Sequence, residues 1–205
     1  MKLIFATGNR GKLREASEIL GGEFEMVPSA SAGITEDIPE TGSTLEENSR
    51  MKACYVLDRT GTDCFADDTG LEVRALGGAP GVYSARYAGP GHDSAANIVK
   101  LLKELDGVED RSAAFRTAVT LLFQGGEYVF WGEVKGRIGT TLSGEGGFGY
   151  DPVFIPDEIP APDGSLVPNR EDLTMAQLTE EQKNAISHRG RALRAMAAFL
   201  KKGRP

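Results

Sequence analysis

Two runs of alternating character, 113–123 and 127–138, meet at Gly125-Gly126 and constrain the fold of this chain more than any other stretch. In the first run Phe115, Thr117, Val119, Leu121 and Phe123 occupy every second position. That is the period at which strand side chains return to one face. Two such runs joined at a glycine pair predict an antiparallel hairpin, since glycine supplies the positive φ that tight hairpin turns require. The N-terminus follows a different pattern. KLIFAT at 2–7 is a short apolar run that stops at Gly8, and Leu13, Ala16 and Leu20 then follow at helical spacing over 12–20. Strand, glycine loop, helix, and later a hairpin together predict an α/β fold on a mixed sheet.

The remaining elements are read in the same way. Overlapping capping boxes, Ser43 to Glu46 and Thr44 to Glu47, predict a helix over 43–57. Residues 63–66 form a short strand that stops at Asp67-Asp68, with strand resuming as an alternative at Leu71-Glu72-Val73, and 77–92 are too rich in glycine and proline for regular structure. Ile98, Leu101, Leu102 and Leu105 give 94–105 one apolar helical face. Residues 144–151 read as a glycine-rich turn before a strand at 153–155. Residues 156–173, with four prolines, read as an exposed loop. The stretch 174–201 is helical from near Thr179, with Gln182 as capping partner and a break near Ser187 or Gly190. With no linker, repeat or low-complexity segment, residues 1–205 are expected to form a single domain.

Charge narrows the partners. The chain carries 30 Asp+Glu against 23 Lys+Arg, a net charge of -7, with no basic stripe. No nucleic acid polymer and no membrane are therefore expected as partners. A small anion is acceptable if local cations and a metal receive it. Cys54 and Cys64 fit a reduced compartment, and the opening MKLIFATGN is too short an apolar run for a signal peptide or span, so a cytoplasmic location is expected. His92 and His188 are the only histidines, which excludes a histidine-rich metal site.

Four clusters carry candidate chemistry. Thr7-Gly8-Asn9-Arg10-Gly11-Lys12 leaves a strand and opens a helix, where free backbone N–H groups and the helix dipole suit phosphate. Its spacing is not that of a Walker A loop, and a tight connection with an exposed lysine would look the same. Asp67, Asp68 and Thr69 follow a short apolar strand. Paired carboxylates there suit a hard Mg2+ ion and a general base, or else form a solvated acidic turn. Glu40 is a candidate third acid. Phe148-Gly149-Tyr150-Asp151 place aromatics among glycines, where a ring face can stack on a base or pack inward. Lys183, His188 and Arg189 form a cationic group that converges only if the helix breaks between them; a solvated cationic face is the alternative.

Taken together the motifs resemble the inosine/xanthosine (non-canonical purine) triphosphate pyrophosphatases. The resemblance rests on FATGNRGKLRE at 5–15, ETGSTLEENSRMKA at 40–53, FADDTGLEVRALGGAPGVYSARYAG at 65–89, GGFGYDPVF at 146–154 and LTEEQKNAISHRGRAL at 178–193. It implies an elongated mixed sheet flanked by helices, two lobes with a central cleft, and a homodimer. It also implies Mg2+-dependent hydrolysis of ITP, dITP or XTP to the monophosphate and pyrophosphate. On this resemblance Asp68 is the proton acceptor and a metal ligand, with Glu40 and Asp67 supporting the metal. Residues 7–12 and Lys52 would receive phosphates, and Thr69 would touch substrate. Phe148 to Asp151, Lys183, His188 and Arg189 would form the nucleoside pocket. Thr69 stands where many relatives carry Ser, and 156–173 is longer than usual. A related pyrophosphatase for pyrimidine or modified triphosphates, and a nucleotide-sensing module without turnover, are the competing expectations.

Overall fold

A computed structural model of the chain describes residues 2–20, 24–36 and 38–202; within these, the side chain of Arg10 lies outside the described residues. Among the described residues the strands are β1 Lys2–Phe5, β2 Glu25–Pro28, β3 Cys64–Val73, β4 Pro80–Gly81, β5 Ser112–Phe123, β6 Gly126–Ile138, β7 Phe154–Pro156, β8 Glu158–Pro160 and β9 Leu166–Pro168. The helices are α1 Arg10–Leu20, α2 Leu45–Thr60, α3 Ser94–Glu104, α4 Glu180–Ile186 and α5 His188–Lys202. The main sheet runs β2-β1-β3-β5-β6-β7 with β4 on β3, and β8-β9 form a separate ribbon. It is a mixed sheet: β1 is parallel to both β2 and β3, whereas β3–β4 and β6–β7 are antiparallel.

The chain divides into two compact units. Met1–Asp68, Thr117–Gly132 and Arg189–Pro205 make the first, and Thr69–Arg116 with Glu133–His188 make the second. The division falls within β3, β5 and β6, so neither unit is one continuous stretch of chain.

In the first unit the strand period sorts side chains between two helical layers. Leu3, Phe5, Phe65, Val119 and Leu121 pack with Ala16 and Leu20 of α1 and with Ala192, Leu193, Met196 and Leu200 of α5. The alternate residues Ile4, Ala6, Cys64, Ala66 and Leu122 pack with Ala53 and Val56 of α2. Phe5 and Phe65 are register partners on neighbouring parallel strands and stack at 4.4 Å, worth about 0.5–1.5 kcal/mol beyond their burial. Thr44, with Glu47, provides the capping box of α2, so the second of the two overlapping signals is the one used. Gln124 and Gly125 turn the β5–β6 hairpin with φ of 51° and 77°. Asp63 supports that turn by accepting the Gln124 amide at 3.0 Å.

In the second unit Leu71, Val73, Ala113, Val134, Ile138 and Phe154 form one sheet face under Ile98 and Leu101 of α3, Leu105 at its C-terminal cap and Ile186 of α4. Asp93 caps α3 by accepting the Ala96 amide at 3.1 Å. Two expectations need correcting. β3 runs through Asp67-Asp68 to Val73, because Leu71 and Val73 are core residues of the second unit. Residues 158–168 form the β8–β9 ribbon instead of a bare loop. Its exit is tied by Asn169, whose Nδ2 donates to Pro156 O and Leu173 O at 2.9 and 2.8 Å. Of the two expected positions for a break in the C-terminal helical stretch, Ser187 is the one used, and Gly190 lies buried inside α5.

Gly136 shows how tightly β6 meets β7. A Cβ there would lie 2.2 Å from the Ile155 carbonyl oxygen and 2.9 Å from the Phe154 ring. Gly136→Ala is expected to destabilise the protein by about 1–3 kcal/mol, the usual cost of overpacking. Urea denaturation read by far-UV circular dichroism measures it, and an unchanged midpoint would contradict the packing described.

Candidate active site

The pleat sends adjacent strand side chains to opposite faces, and this decides what Asp67 and Asp68 can do. Asp67 follows Phe65 toward α1 and α5. Its Oδ1 accepts from Lys12 Nζ at 3.0 Å and its Oδ2 from Arg189 Nε at 2.8 Å. Arg189 in turn reaches Glu15 through Nη1 at 2.6 Å. Asp67 is 1% exposed. Burial pushes its carboxyl toward the neutral form, but the Lys12 and Arg189 charges outweigh that and hold it well below the usual carboxylate range. Burial also lowers Lys12, with Asp67 opposing.

Asp68 follows Ala66 toward α2. Its Oδ2 accepts from Asn48 Nδ2 at 3.1 Å, and its Oδ1 lies 3.5 Å from Lys52 Nζ. Lys52 also contacts Glu40 closely through the same ammonium. Burial raises the Asp68 carboxyl; Lys52 pulls it down and Glu40 pushes it up. For Lys52 burial favours the neutral amine, yet Asp68, Asp67 and Glu40 together raise its pKa above the ordinary lysine value. One buried ammonium therefore holds two carboxylates side by side, one of them a base candidate.

The loop between β1 and α1 is closed on itself. Asn9 Oδ1 accepts from the amides of Gly11 and Lys12 at 2.8 and 3.2 Å, and Thr7 Oγ1 accepts from Asn9 N at 3.2 Å. Asparagine is a strong cap precisely for such orphan amides, so those two N–H groups are already satisfied where the sequence predicts an open cradle. A phosphate using them would have to displace the Asn9 side chain.

The second unit holds the other expected residues. Thr69 opens its part of β3 and is half-buried. Phe148 is 80% exposed, beside Gly149 at φ 59°. Asp151 Oδ2 accepts from Phe148 N at 3.2 Å and lies 3.6 Å from Lys183 Nζ. Burial raises the Asp151 carboxyl, with the Phe148 amide and Lys183 opposing. Gly147 must be glycine, because a Cβ would sit 2.0 Å from Asp151 Oδ2. Lys183 lies on α4, and the His188 ring stacks on Phe115 at 5.2 Å.

Three placements differ from expectation. Tyr150 is buried in the core and its hydroxyl donates to Ser84 O at 2.8 Å, so its ring is packed inward and only Phe148 offers a face. Arg189, expected beside His188 in a nucleoside pocket, is instead the counter-charge of Asp67 and Glu15, since a buried guanidinium requires paired carboxylates. Asp67, expected to support a metal, has both oxygens in ion pairs. Sequence reasoning missed Glu15 and Asn48. A signal for Asn48 existed: it lies four residues before Lys52, on the same face of α2.

Asp67 and Asp68 thus lie on opposite faces of one strand in a mixed α/β sheet, each paired with its own lysine. The sequence profile of the Ham1 family matches residues 3–199, and the chain belongs to that family. It is 48% identical over 200 residues to a dITP/XTP pyrophosphatase of Porphyromonas gingivalis, with 97% of each chain covered. It is 45% identical over 201 residues to the Bacillus subtilis protein of the same name, with 96% of each covered. Among solved structures, the Ham1 protein of Staphylococcus aureus superimposes with a TM-score of 0.86 at 38% identity over 100% of both chains. A nucleoside-triphosphatase / dITP/XTP pyrophosphatase from Mycobacterium abscessus gives 0.77 at 42% identity, covering 98% of this chain and 99% of that one.

Breaking the Asp67 cluster leaves Lys12 and Arg189 short of a carboxylate in a buried place. Asp67→Asn is expected to cost about 3–5 kcal/mol of stability, as for other broken buried pairs. Thermal denaturation of the two proteins side by side measures the difference, and a melting curve like that of the wild type would show the pairs to be dispensable.

Proposed function

We propose that this protein is a cytoplasmic, homodimeric pyrophosphatase that hydrolyses ITP, dITP and XTP to the monophosphate and pyrophosphate. The observation that carries the reading is the Lys52 ammonium holding Glu40 and Asp68 together, on a chain whose relatives are named dITP/XTP pyrophosphatases. No helix of the described residues is long and apolar enough to cross a membrane.

The donor chemistry fits Mg2+. Glu40 and Asp68, the two carboxylates that meet at the Lys52 ammonium, would supply the protein oxygens. Phosphate oxygens and water would complete the set, as is usual for this ion. Asp67 stays with Lys12 and Arg189. When bound, Mg2+ would neutralise phosphate charge as the scissile bond breaks. Asp68 takes the proton of the attacking water, favoured by the burial that raises its basicity above that of an exposed carboxylate. The water oxygen bonds to the α-phosphorus while the bond to the bridging oxygen breaks and pyrophosphate leaves. Lys12 and Lys52 balance the negative charge, and the amides of Gly11 and Lys12 join them once the Asn9 side chain is displaced.

Base recognition belongs to the second unit. Phe148 offers an exposed ring for stacking, with Gly149 and Asp151 shaping its turn. Lys183 and His188 supply donors for the 6-oxo group of hypoxanthine or xanthine, which adenine's 6-amino group would leave unpaired. Thr69 contributes its hydroxyl.

Incubation with ITP, XTP, dITP, GTP, ATP and dTTP, with pyrophosphate and orthophosphate measured separately, tests the substrate class. Pyrophosphate release favouring ITP, XTP and dITP is expected. Preference for dTTP, or stepwise orthophosphate release, would defeat the proposal. Asp68→Asn should lower kcat by about 10²–10⁴-fold with KM little changed, as for loss of a general base. Phe148→Ala should raise KM by the equivalent of about 1–3 kcal/mol of lost stacking, with thermal stability preserved because the ring is exposed; steady-state kinetics on dITP reads both.

A further inference from the structure

Asn48 is fully buried on α2 and makes two bonds whose chemistry permits one orientation of its amide. Its Oδ1 accepts from the Gly42 amide at 2.8 Å, and its Nδ2 donates to Asp68 Oδ2 at 3.1 Å. The reversed amide would face a donor with a donor and a carboxylate with a carbonyl oxygen. Gly42 is fitted against the same side chain. A Cβ there would lie 2.8 Å from Asn48 Oδ1 and 2.7 Å from Glu47 Cβ, so the loop backbone lies directly on the helix. Glu40 stands two residues earlier on that loop.

We infer that Asn48 is a positioning residue for the reaction: it aims the Asp68 carboxylate and ties it to the loop that carries Glu40. The inference rests on the reading of Asp68 as proton acceptor. A neutral amide suits this task better than a charged donor. It holds one carboxylate oxygen in place without cancelling the negative charge, and it leaves Oδ1 toward Lys52. Its second bond carries the constraint to Gly42, so the base and Glu40 keep a common frame. Partners that orient a working carboxylate in this way act through it and touch no substrate.

Two substitutions separate aiming from mere support of the loop. Asn48→Leu removes both bonds at similar volume. Asn48→Asp keeps the acceptor for the Gly42 amide and replaces the donor to Asp68 with a carboxylate. Both variants should lose about 10- to 100-fold in kcat on dITP with KM little changed, the range typical of such partners. Thermal melting shows whether each has folded, and a metal-free crystal structure of Asn48→Asp should find the Asp68 carboxylate turned from its wild-type orientation. Wild-type kcat in Asn48→Asp, with Asp68 unmoved, would overturn the inference, because support of the loop would then be the whole role. Asp68→Asn is run alongside: if it keeps wild-type turnover, the reading of Asp68 itself fails. If Asp68→Asn is inactive while Asn48→Asp is fully active, only the role of Asn48 fails.

Discussion

The alternation of side chains along β3 is the constraint on which the first unit depends. Asp67 and Asp68 are neighbours in sequence, yet the pleat gives them different helices, different lysines and different electrostatic fates. Asp67 meets Lys12 and Arg189 and stays ionised as a fixed counter-ion. Asp68 meets Lys52 and Asn48 with Glu40 beside it, and burial keeps it closer to protonation. A pair of identical carboxylates is thereby divided into an anchor and a base candidate, in the manner of acids separated by environment.

The same alternation builds the core. Leu3, Phe5 and Phe65 face α1 and α5, and Ile4, Ala6, Cys64 and Ala66 face α2. The polar pair continues this order beyond the apolar residues, so the layers that bury the core also choose the partners of the acids. Ser49 and Thr120 extend it further: their hydroxyls meet at 2.7 Å and join α2 to β5 with a satisfied polar contact inside the unit.

In the second unit the glycine turn is rigid for a comparable reason. The backbone of residues 146–151 is tied to Ala176 and Asp151 closes the turn, while Tyr150 is anchored on Ser84. Ser84 itself accepts the Leu71 amide and donates to Gly81 O, and Asn97 secures Ala85 and Ala88. The long glycine- and proline-rich stretch is therefore held by side-chain bonds in place of regular structure. Phe148 stands exposed from a turn whose neighbouring backbone is held by these bonds.

Much of this was legible in the sequence, because the relevant signals are local. Period-two runs, helical spacing, capping boxes at Thr44 and Thr179, and glycines at turns depend on a few neighbouring residues, and they located the hairpin, α2, α3 and the start of α4. Residue chemistry likewise pointed to Lys12, Asp68, Glu40 and Phe148 as candidates. The pairings were decided only by tertiary structure. Arg189 reaches Asp67 across 122 positions and Glu15 across 174, and Asn48 reaches Asp68 across 20. Such contacts arise when sheet and helices pack together, and no periodicity along the chain records which buried charge will neutralise which.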